Sequence, residues 1–394
     1  MDDLDALEGK VALVRVDFNV PLADGEVRDD TRLRASLTTV RELARRGAVV
    51  LLLSHFGRPK GKPRLEFSLS AVLPAYRAIL GRDVRLLENW TKPSAKRAVS
   101  AMRPGSVALL ENTRFYPGET TNNAELAAAM AALGDIYVND AFSAAHRAHA
   151  STVGVARLLP AYAGRALQAE LAALQAAFGQ SQHPITAMIG GAKISTKLDI
   201  LARLITKVDN LLIGGGMANT FLAAQGAAIG KSLAEYDLKV AASQILDAAK
   251  REGCAVYLPT DAVVAKELTA NALSRRTTGI IDVALDEMIL DIGPSTTAAF
   301  AGVLQSSRFL VWNGPLGAFE TPPFDQATFA LARVAATLTR DGSLISLAGG
   351  GDTVSALSQI DVKTALSYVS TGGGAFLEWV SGSPLPGIEA LMNA

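Results

Sequence analysis

Short apolar runs alternate with longer amphipathic stretches along the chain. VALVRVDF (11–18), AVVLLLS (48–54), DVRLLE (83–88), SVALLE (106–111) and IYVND (136–140) have the β-branched and leucine content of buried strands. Between them RASLTTVRELARRG (34–47) and NAELAAAMAALG (123–134) follow a helical period and close on Gly47 and Gly134. The series then restarts with ITAMIGG (185–191), VDNLLIGG (208–215), AVYLPTD (255–261), MILDIG (288–293), FLVWNG (309–314) and SLISLAGG (343–350). Near-continuous apolar strands with helical crossovers predict parallel sheets covered on both faces. Two such series predict an α/β chain of two doubly wound parallel-sheet domains. Between them YAGRALQAELAALQAAFGQSQHP (162–184) reads as one amphipathic helix, either a joining element or an ordinary crossover.

Composition narrows the class. A chain of 394 residues is too long for one ordinary core, which again favours two domains. Its 38 bases balance 38 acids, so no nucleic-acid partner is expected. The one cysteine, Cys254, opens a predicted strand and excludes an internal disulfide; it reads as a buried thiol. No signal-peptide pattern and no long uncharged apolar run is evident, so the expectation is a cytoplasmic protein with no membrane span. The balance hides an asymmetry: 23 Lys and Arg face 18 Asp and Glu through residue 165, and 15 face 20 afterwards. The first half suits an anionic small molecule.

Candidate chemistry gathers where strands end. VRVDFNVPL (14–22) runs out into Asp17 and Asn19, which could bind a hydroxylated ligand or serve an internal charge partner. In DDTRLR (29–34) Asp30 could cap a helix, Arg32 could face a cleft, and Arg34 reads as a solvated charge. SHFGRPKG (54–61) brings His55 and Arg58, LLENTRFYPGE (109–119) brings Arg114, and DAFSAAHRAHAST (140–152) brings His146, Arg147 and His149. The histidines lack a third ligand at a standard zinc spacing. The shared feature is arginine, at 32, 58, 114 and 147, whose planar fork suits phosphate and carboxylate.

The second half carries glycine clusters and lysines instead. IGGAKISTKLD (189–199) places Lys193 and Lys197 four apart, a spacing that predicts one helical face, behind Gly190 and Gly191 as a possible phosphate cradle. LLIGGGMANTF (211–221) and SLAGGGDTVSAL (343 onward) repeat strand, glycines, helix. Asp352 in the latter reads equally as a helix cap or as a Mg²⁺ ligand beside polyphosphate. AQGAAIGKS (224–232) fails as a P-loop, because the required glycine position holds Gln225. Glu320, in VWNGPLGAFE (311–320), could accept bonds from a ribose, and Gly372 to Gly374 open a predicted helix toward an anion.

These stretches together resemble the phosphoglycerate kinase family. VRVDFNVPL, DDTRLR, SHFGRPKG, LLENTRFYPGE, GGAKISTKL, LLIGGGMANTF, LDIGPST, WNGPLGAFE, AGGGDT and STGGGAFLE run in family order over nearly the whole chain. The resemblance implies two α/β domains joined by a helix, with a cleft between them, in a monomer. It places a phosphoglycerate-binding domain at 1–162 rejoined by 372–394, the joining helix at 163–180, and a nucleotide-binding domain at 181–371. The implied reaction is reversible Mg²⁺-dependent phosphoryl transfer between 1,3-bisphosphoglycerate and ADP, giving 3-phosphoglycerate and ATP in glycolysis. By resemblance, Asp17, Asn19, Arg32, His55, Phe56, Gly57, Arg58, Arg114 and Arg147 bind phosphoglycerate. Gly191, Lys193, Lys197, Gly215, Glu320, Gly350, Gly351, Asp352 and Thr353 bind nucleotide, with Asp352 toward the metal. Arg32, Lys197, Gly373 and Gly374 carry catalysis. The chain departs from the family at 63–74, at 87–99, at Ala144 and Ala145, where Gly-Thr is common in bacterial relatives, and at Ser383. The alternative is a catalytically silent relative kept for binding.

Overall fold

The computed structural model describes all residues except 3, 5, 6, 180, 181, 371, 393 and 394. The chain divides into two compact units, Met1–Ala172 with Pro384–Ala394, and Ala173–Ser383. The helix Arg165–Gly179 contains the division, and its expected end at residue 180 lies outside the described residues.

The first unit is built on β1 (Val11–Arg15), a short hairpin of β2 (Leu22–Ala23) and β3 (Glu26–Val27), then β4 (Val49–Leu53), β5 (Val84–Leu87), β6 (Val107–Leu110), β7 (Ile136–Asn139) and β8 (Ala161–Ala163). Apart from the hairpin these form one sheet in the order β5-β6-β4-β1-β7-β8, with every pairing parallel. Successive side chains point to opposite faces. Val50 and Leu52 therefore enter one core with Val14, Leu109 and Val138, while Leu51 and Leu53 enter the other with Leu13, Ala108 and Tyr137. Burial on both faces is why these strands read as unbroken apolar runs.

Local details differ from the pattern reading. The helix expected over 34–47 is two, Thr31–Ala35 and Leu37–Arg45. They meet at Ser36, whose hydroxyl lies 2.8 Å from the Leu33 carbonyl and 3.0 Å from the Tyr76 hydroxyl. Asp30 does not cap; its carboxylate is taken by the exposed Arg34 at 2.7 Å. The segment 162–184 opens as β8 rather than helix, because the backbone continues the ladder: Gly164 N–H donates to the Asn139 carbonyl at 2.8 Å. The C-terminal helix Pro386–Met392 belongs to this unit, with Gly387 N–H donating to Ala145 O at 2.8 Å. Ala144 and Ala145 are buried there.

The second unit holds β9 (Ile185–Ile189), β10 (Asn210–Ile213), β11 (Ala255–Tyr257), β12 (Asp261–Ala265), β13 (Arg276–Gly279), β14 (Met288–Ile292), β15 (Phe309–Asn313), β16 (Ile345–Gly349) and β17 (Tyr368–Ser370). Its parallel sheet runs β11-β10-β9-β15-β16-β17. MILDIG is not part of it. β14 pairs antiparallel with β12 in a separate sheet ordered β13-β12-β14. The run also carries a polar residue: buried Asp291 accepts from Ala327 N–H at 3.0 Å, just inside the helix Gln326–Arg340. Burial pushes its carboxyl up to about 8. Cys254 is buried and free before β11. No helix among the described residues is long and apolar enough to cross a membrane.

Gly349, the last residue of β16, abuts the Phe376 ring; a Cβ there would lie 2.3 Å from it. Phe376 sits in the helix Gly374–Ser381. Gly349→Ala is expected to destabilise the second unit by about 1–3 kcal/mol, the usual cost of overpacking, read as a lowered denaturant midpoint.

Candidate active site

In a parallel sheet the loops after the strands share one edge. In the first unit those loops carry the charged residues. After β1, Asp17 lies 3.1 Å from Arg32, and the Asn19 carbonyl accepts from Arg32 Nη1 at 2.8 Å. Asp17 also accepts from Asn19 N–H at 3.0 Å and from the Ser143 hydroxyl. The internal-partner reading of Asp17 is thus realised, and it orients Arg32. After β4, Gly57 N–H donates to Asn19 Oδ1 at 2.8 Å and the Gly57 carbonyl accepts from Arg114 at 2.8 Å. Phe56 N–H donates to Asn112 Oδ1 at 3.1 Å, and Asn112 Nδ2 returns to the Phe56 carbonyl at 2.7 Å. Asn19, Gly57, Arg32 and Arg114 are thereby cross-linked through backbone groups. Arg58 and Arg147 are exposed beside them, with Arg147 Nε donating to His146 Nε2 at 2.9 Å.

Crowded cations must be neutral or compensated. Burial drives His55 well below the ordinary histidine range, and Arg15, Arg114, Arg147 and Arg32 push it the same way. Burial, then neighbouring arginines, lowers His146 to about 4 and His149 to about 3. All three are uncharged at neutral pH, so the 3.8 Å approach of His149 to Glu119 is not an ion pair. Burial, with Arg147 and Arg15 beside it, brings Arg114 down to about 10, still charged at neutral pH. Its Nε is buried without a partner.

Beneath this patch lies a residue the pattern reading passed over. Arg15 is 1% exposed inside β1. Its Nε donates to Ser151 Oγ at 3.0 Å, its Nη1 to the Val16 carbonyl, and its Nη2 lies 3.0 Å from His55 Nδ1. Ser151 donates in turn to buried Glu119, which also accepts from Ser151 N–H at 3.0 Å and Thr113 at 3.2 Å. An arginine in the middle of VALVRV was the available signal. The atypical stretches supply framework nearby: Trp90 Nε1 donates to the Glu111 carbonyl at 2.9 Å, and Ser68 and Leu69 bind the Glu111 carboxylate at 2.6 and 2.9 Å.

In the second unit the loops after β9, β15 and β16, together with Gly373 and Gly374, line one pocket with Lys193, Lys197 and Asp352. Lys193 and Lys197 do not share a helical face. The helix starts at Leu198; Lys197 ends the preceding turn and Lys193 lies in irregular chain before it, and both still line the same pocket. Lys197 Nζ donates to the Gly190 carbonyl and to Asn313 Oδ1, both at 2.7 Å. Asn313 Nδ2 donates to the Gly349 carbonyl at 2.7 Å, which fixes the amide. A Cβ on Gly350, at φ +104°, would meet that amide at 2.7 Å, so this turn requires glycine. Burial lowers Lys197 to about 8, with Asp352 opposing.

Several glycines serve the backbone rather than an anion. The N–H groups of Gly190, Gly191 and Gly215 donate to the carbonyls of Asn313, Pro315 and Leu316, and that of Gly372 to Ser370 Oγ. The expected cradle from Gly190 and Gly191 is corrected on this point. Gly373 and Gly374 stand at the start of their helix, where first-turn amides lack intrahelical partners. Thr353 is buried and its Oγ1 accepts from Gly314 N–H at 2.7 Å. The helix Gly351–Gln359 is capped by Gly350, so Asp352 lies within its first turn rather than at its cap, and it is exposed, as is Gly351. A neighbouring cavity of about 340 Å³ is lined mainly by apolar groups, including Leu290, Leu316 and Phe319, with Gly215, Glu320 and Asp352 also on its wall. Such a slot suits a flat aromatic base, with polar groups at the edge.

The exposed carboxylate of Asp352, on the same pocket wall as Glu378, fits Mg²⁺, which keeps few protein ligands when phosphate oxygens supply the rest. Among the described residues no cluster of three or more His, Cys, Asp or Glu could hold a metal without such a ligand.

A family model described as Phosphoglycerate kinase matches residues 1–383. The chain is 59% identical over 391 residues to the phosphoglycerate kinases of Novosphingobium aromaticivorans and Zymomonas mobilis, covering 99% of this chain and 98% of each relative. It superposes on the phosphoglycerate kinase of Coxiella burnetii with a TM-score of 0.83 at 42% identity, and on that of Pyrococcus horikoshii with 0.84 at 29%. In both, 100% of this chain and 98% of the other are covered.

The lowered Lys197 pKa has a measurable sign. From about pH 8 up to the ordinary lysine range the unfolded chain holds a proton that the folded chain releases, so this group makes stability rise with pH there. The difference in unfolding free energy between parent and Lys197→Met is expected to change in the parent's favour across that window, measured by denaturant titration. A pH-independent difference contradicts the assignment.

Proposed function

Because this chain belongs to the phosphoglycerate kinase family and is a kinase of that kind, we propose the specific course of its reaction: reversible, Mg²⁺-dependent transfer of phosphoryl from 1,3-bisphosphoglycerate to ADP, running toward 3-phosphoglycerate and ATP in glycolysis. The observation that carries this reading is the pairing of two different anion sites at strand ends. One is an arginine and neutral-histidine patch suited to a phosphorylated carboxylate. The other is a lysine, glycine and carboxylate pocket beside an apolar slot. We further infer that the protein acts as a monomer in the cytoplasm.

The substrate phosphate and carboxylate bind Arg58, Arg114, Arg147 and neutral His55, with Asn19 and Asp17 toward the hydroxyl. Asp17 and the Asn19 carbonyl hold Arg32 in advance, so little ordering is left for the reacting complex. The base enters the apolar slot, Glu320 receives the ribose, and Gly350, Gly351 and Thr353 border the phosphates. Asp352 would hold Mg²⁺, which neutralises phosphate charge when bound. Lys197 exchanges its Gly190 and Asn313 acceptors for the nucleotide's phosphoryl, with the Gly373 and Gly374 amides on the same pocket, and Arg32 serves the phosphoglycerate side. The attacking carboxylate of 3-phosphoglycerate is already an anion in the reverse direction, so no general base is needed.

ATP consumption with Mg²⁺, coupled through the acyl phosphate to NADH oxidation, tests the proposal. Turnover is expected only with 3-phosphoglycerate present; a folded, nucleotide-binding protein without it contradicts the reaction. Arg32→Ala and Lys197→Ala are each expected to lower turnover at saturating substrate by at least about tenfold. Parent-like turnover in either variant removes that residue from the mechanism.

A further inference from the structure

The His55–Arg15 contact decides a proton position. A guanidinium only donates. With Arg15 Nη2 at 3.0 Å, His55 Nδ1 must be the ring's lone-pair nitrogen. The imidazole is uncharged, so its single proton sits on Nε2. No acceptor among the described residues meets Nε2. The opposite tautomer would turn a lone pair toward an anion.

Arg15 is itself held without freedom. Ser151, the Val16 carbonyl and His55 occupy its nitrogens, and 1% exposure leaves no access for a ligand. Its charge is answered by buried Glu119 through the shared Ser151 hydroxyl, which accepts from Arg15 and donates to Glu119.

We propose that Arg15 is a positioning residue, held by Ser151 and Glu119, that locks His55 as a neutral Nε2–H donor within the arginine patch. The proposal rests on reading that patch as the phosphoglycerate site. Its consequence is specificity: the patch presents a directed hydrogen bond beside its point charges. A cationic histidine would instead repel four arginines.

Nitrogen-15 NMR of histidine-labelled protein without substrate tests the tautomer directly, the His55 signals being identified by their loss in His55→Gln. The expected result is an unprotonated Nδ1 and a protonated Nε2 at neutral pH. A protonated Nδ1 overturns the proposal, whether or not the protein turns over phosphoglycerate. Arg15→Met combined with Glu119→Gln removes both buried charges, so neither is stranded. In that variant the tautomers are expected to mix, and KM for 3-phosphoglycerate to rise about tenfold, the worth of one hydrogen bond to a charged group, with KM for ATP unchanged. A folded double variant with the parent tautomer and KM overturns the role of Arg15. A parallel loss of ATP affinity marks Arg15 as structural only and also overturns it.

Discussion

Parallel pairing imposes one constraint from which the rest follows. Strands that all run the same way deliver their exits to one edge of the sheet. Asp17, His55, Arg114 and Arg147 follow β1, β4, β6 and β7, four strands that lie adjacent in the first sheet. Gly190, Gly314, Gly350 and Gly372 follow β9, β15, β16 and β17, four adjacent strands of the second. Each unit therefore concentrates its chemistry without long-range folding of its loops, and the buried apolar strands hold those exits rigid.

Concentrating cations at one edge creates an electrostatic problem, and the two units solve it differently. The first keeps its histidines neutral, ties Arg32 to Asp17, and buries Arg15 opposite Glu119 with Ser151 between them. The second uses one partly buried lysine and lowers its proton affinity, resting the ammonium on a carbonyl and an amide oxygen that give it up without stranding a charge. In both, polar groups of the protein hold in place the cations that would meet a ligand.

Much of this was legible in the sequence, for physical reasons. Runs such as VVLLL report burial on both faces, and the arginines after strand ends do gather at one edge of the first sheet. What stayed hidden depends on tertiary partners. MILDIG looks like any core strand, yet its partner is the antiparallel β12, and the Asp291 carboxylate is met by the N–H of Ala327, neither of which is near it in sequence. Lys193 and Lys197 have helical spacing but lie in the loop and turn ahead of the helix, which begins only at Leu198. Glycine clusters look alike in sequence. Only the backbone bonds separate Gly190, Gly191 and the helix-opening Gly215, whose amides are spent on carbonyls, from Gly373 and Gly374 at the start of their own helix. Arg15 was readable as a charge in an apolar strand, but its value lies in His55, Ser151 and Glu119, which are distant along the chain.

The central claim is that the first unit alone recognises phosphoglycerate, by charge and by directed donors. Isothermal titration of 3-phosphoglycerate without nucleotide tests it most directly. The account predicts binding that weakens as salt rises, is lost in Arg114→Ala, and persists in Lys197→Ala. Binding that ignores salt, or that disappears with Lys197 while surviving loss of Arg114, would contradict it.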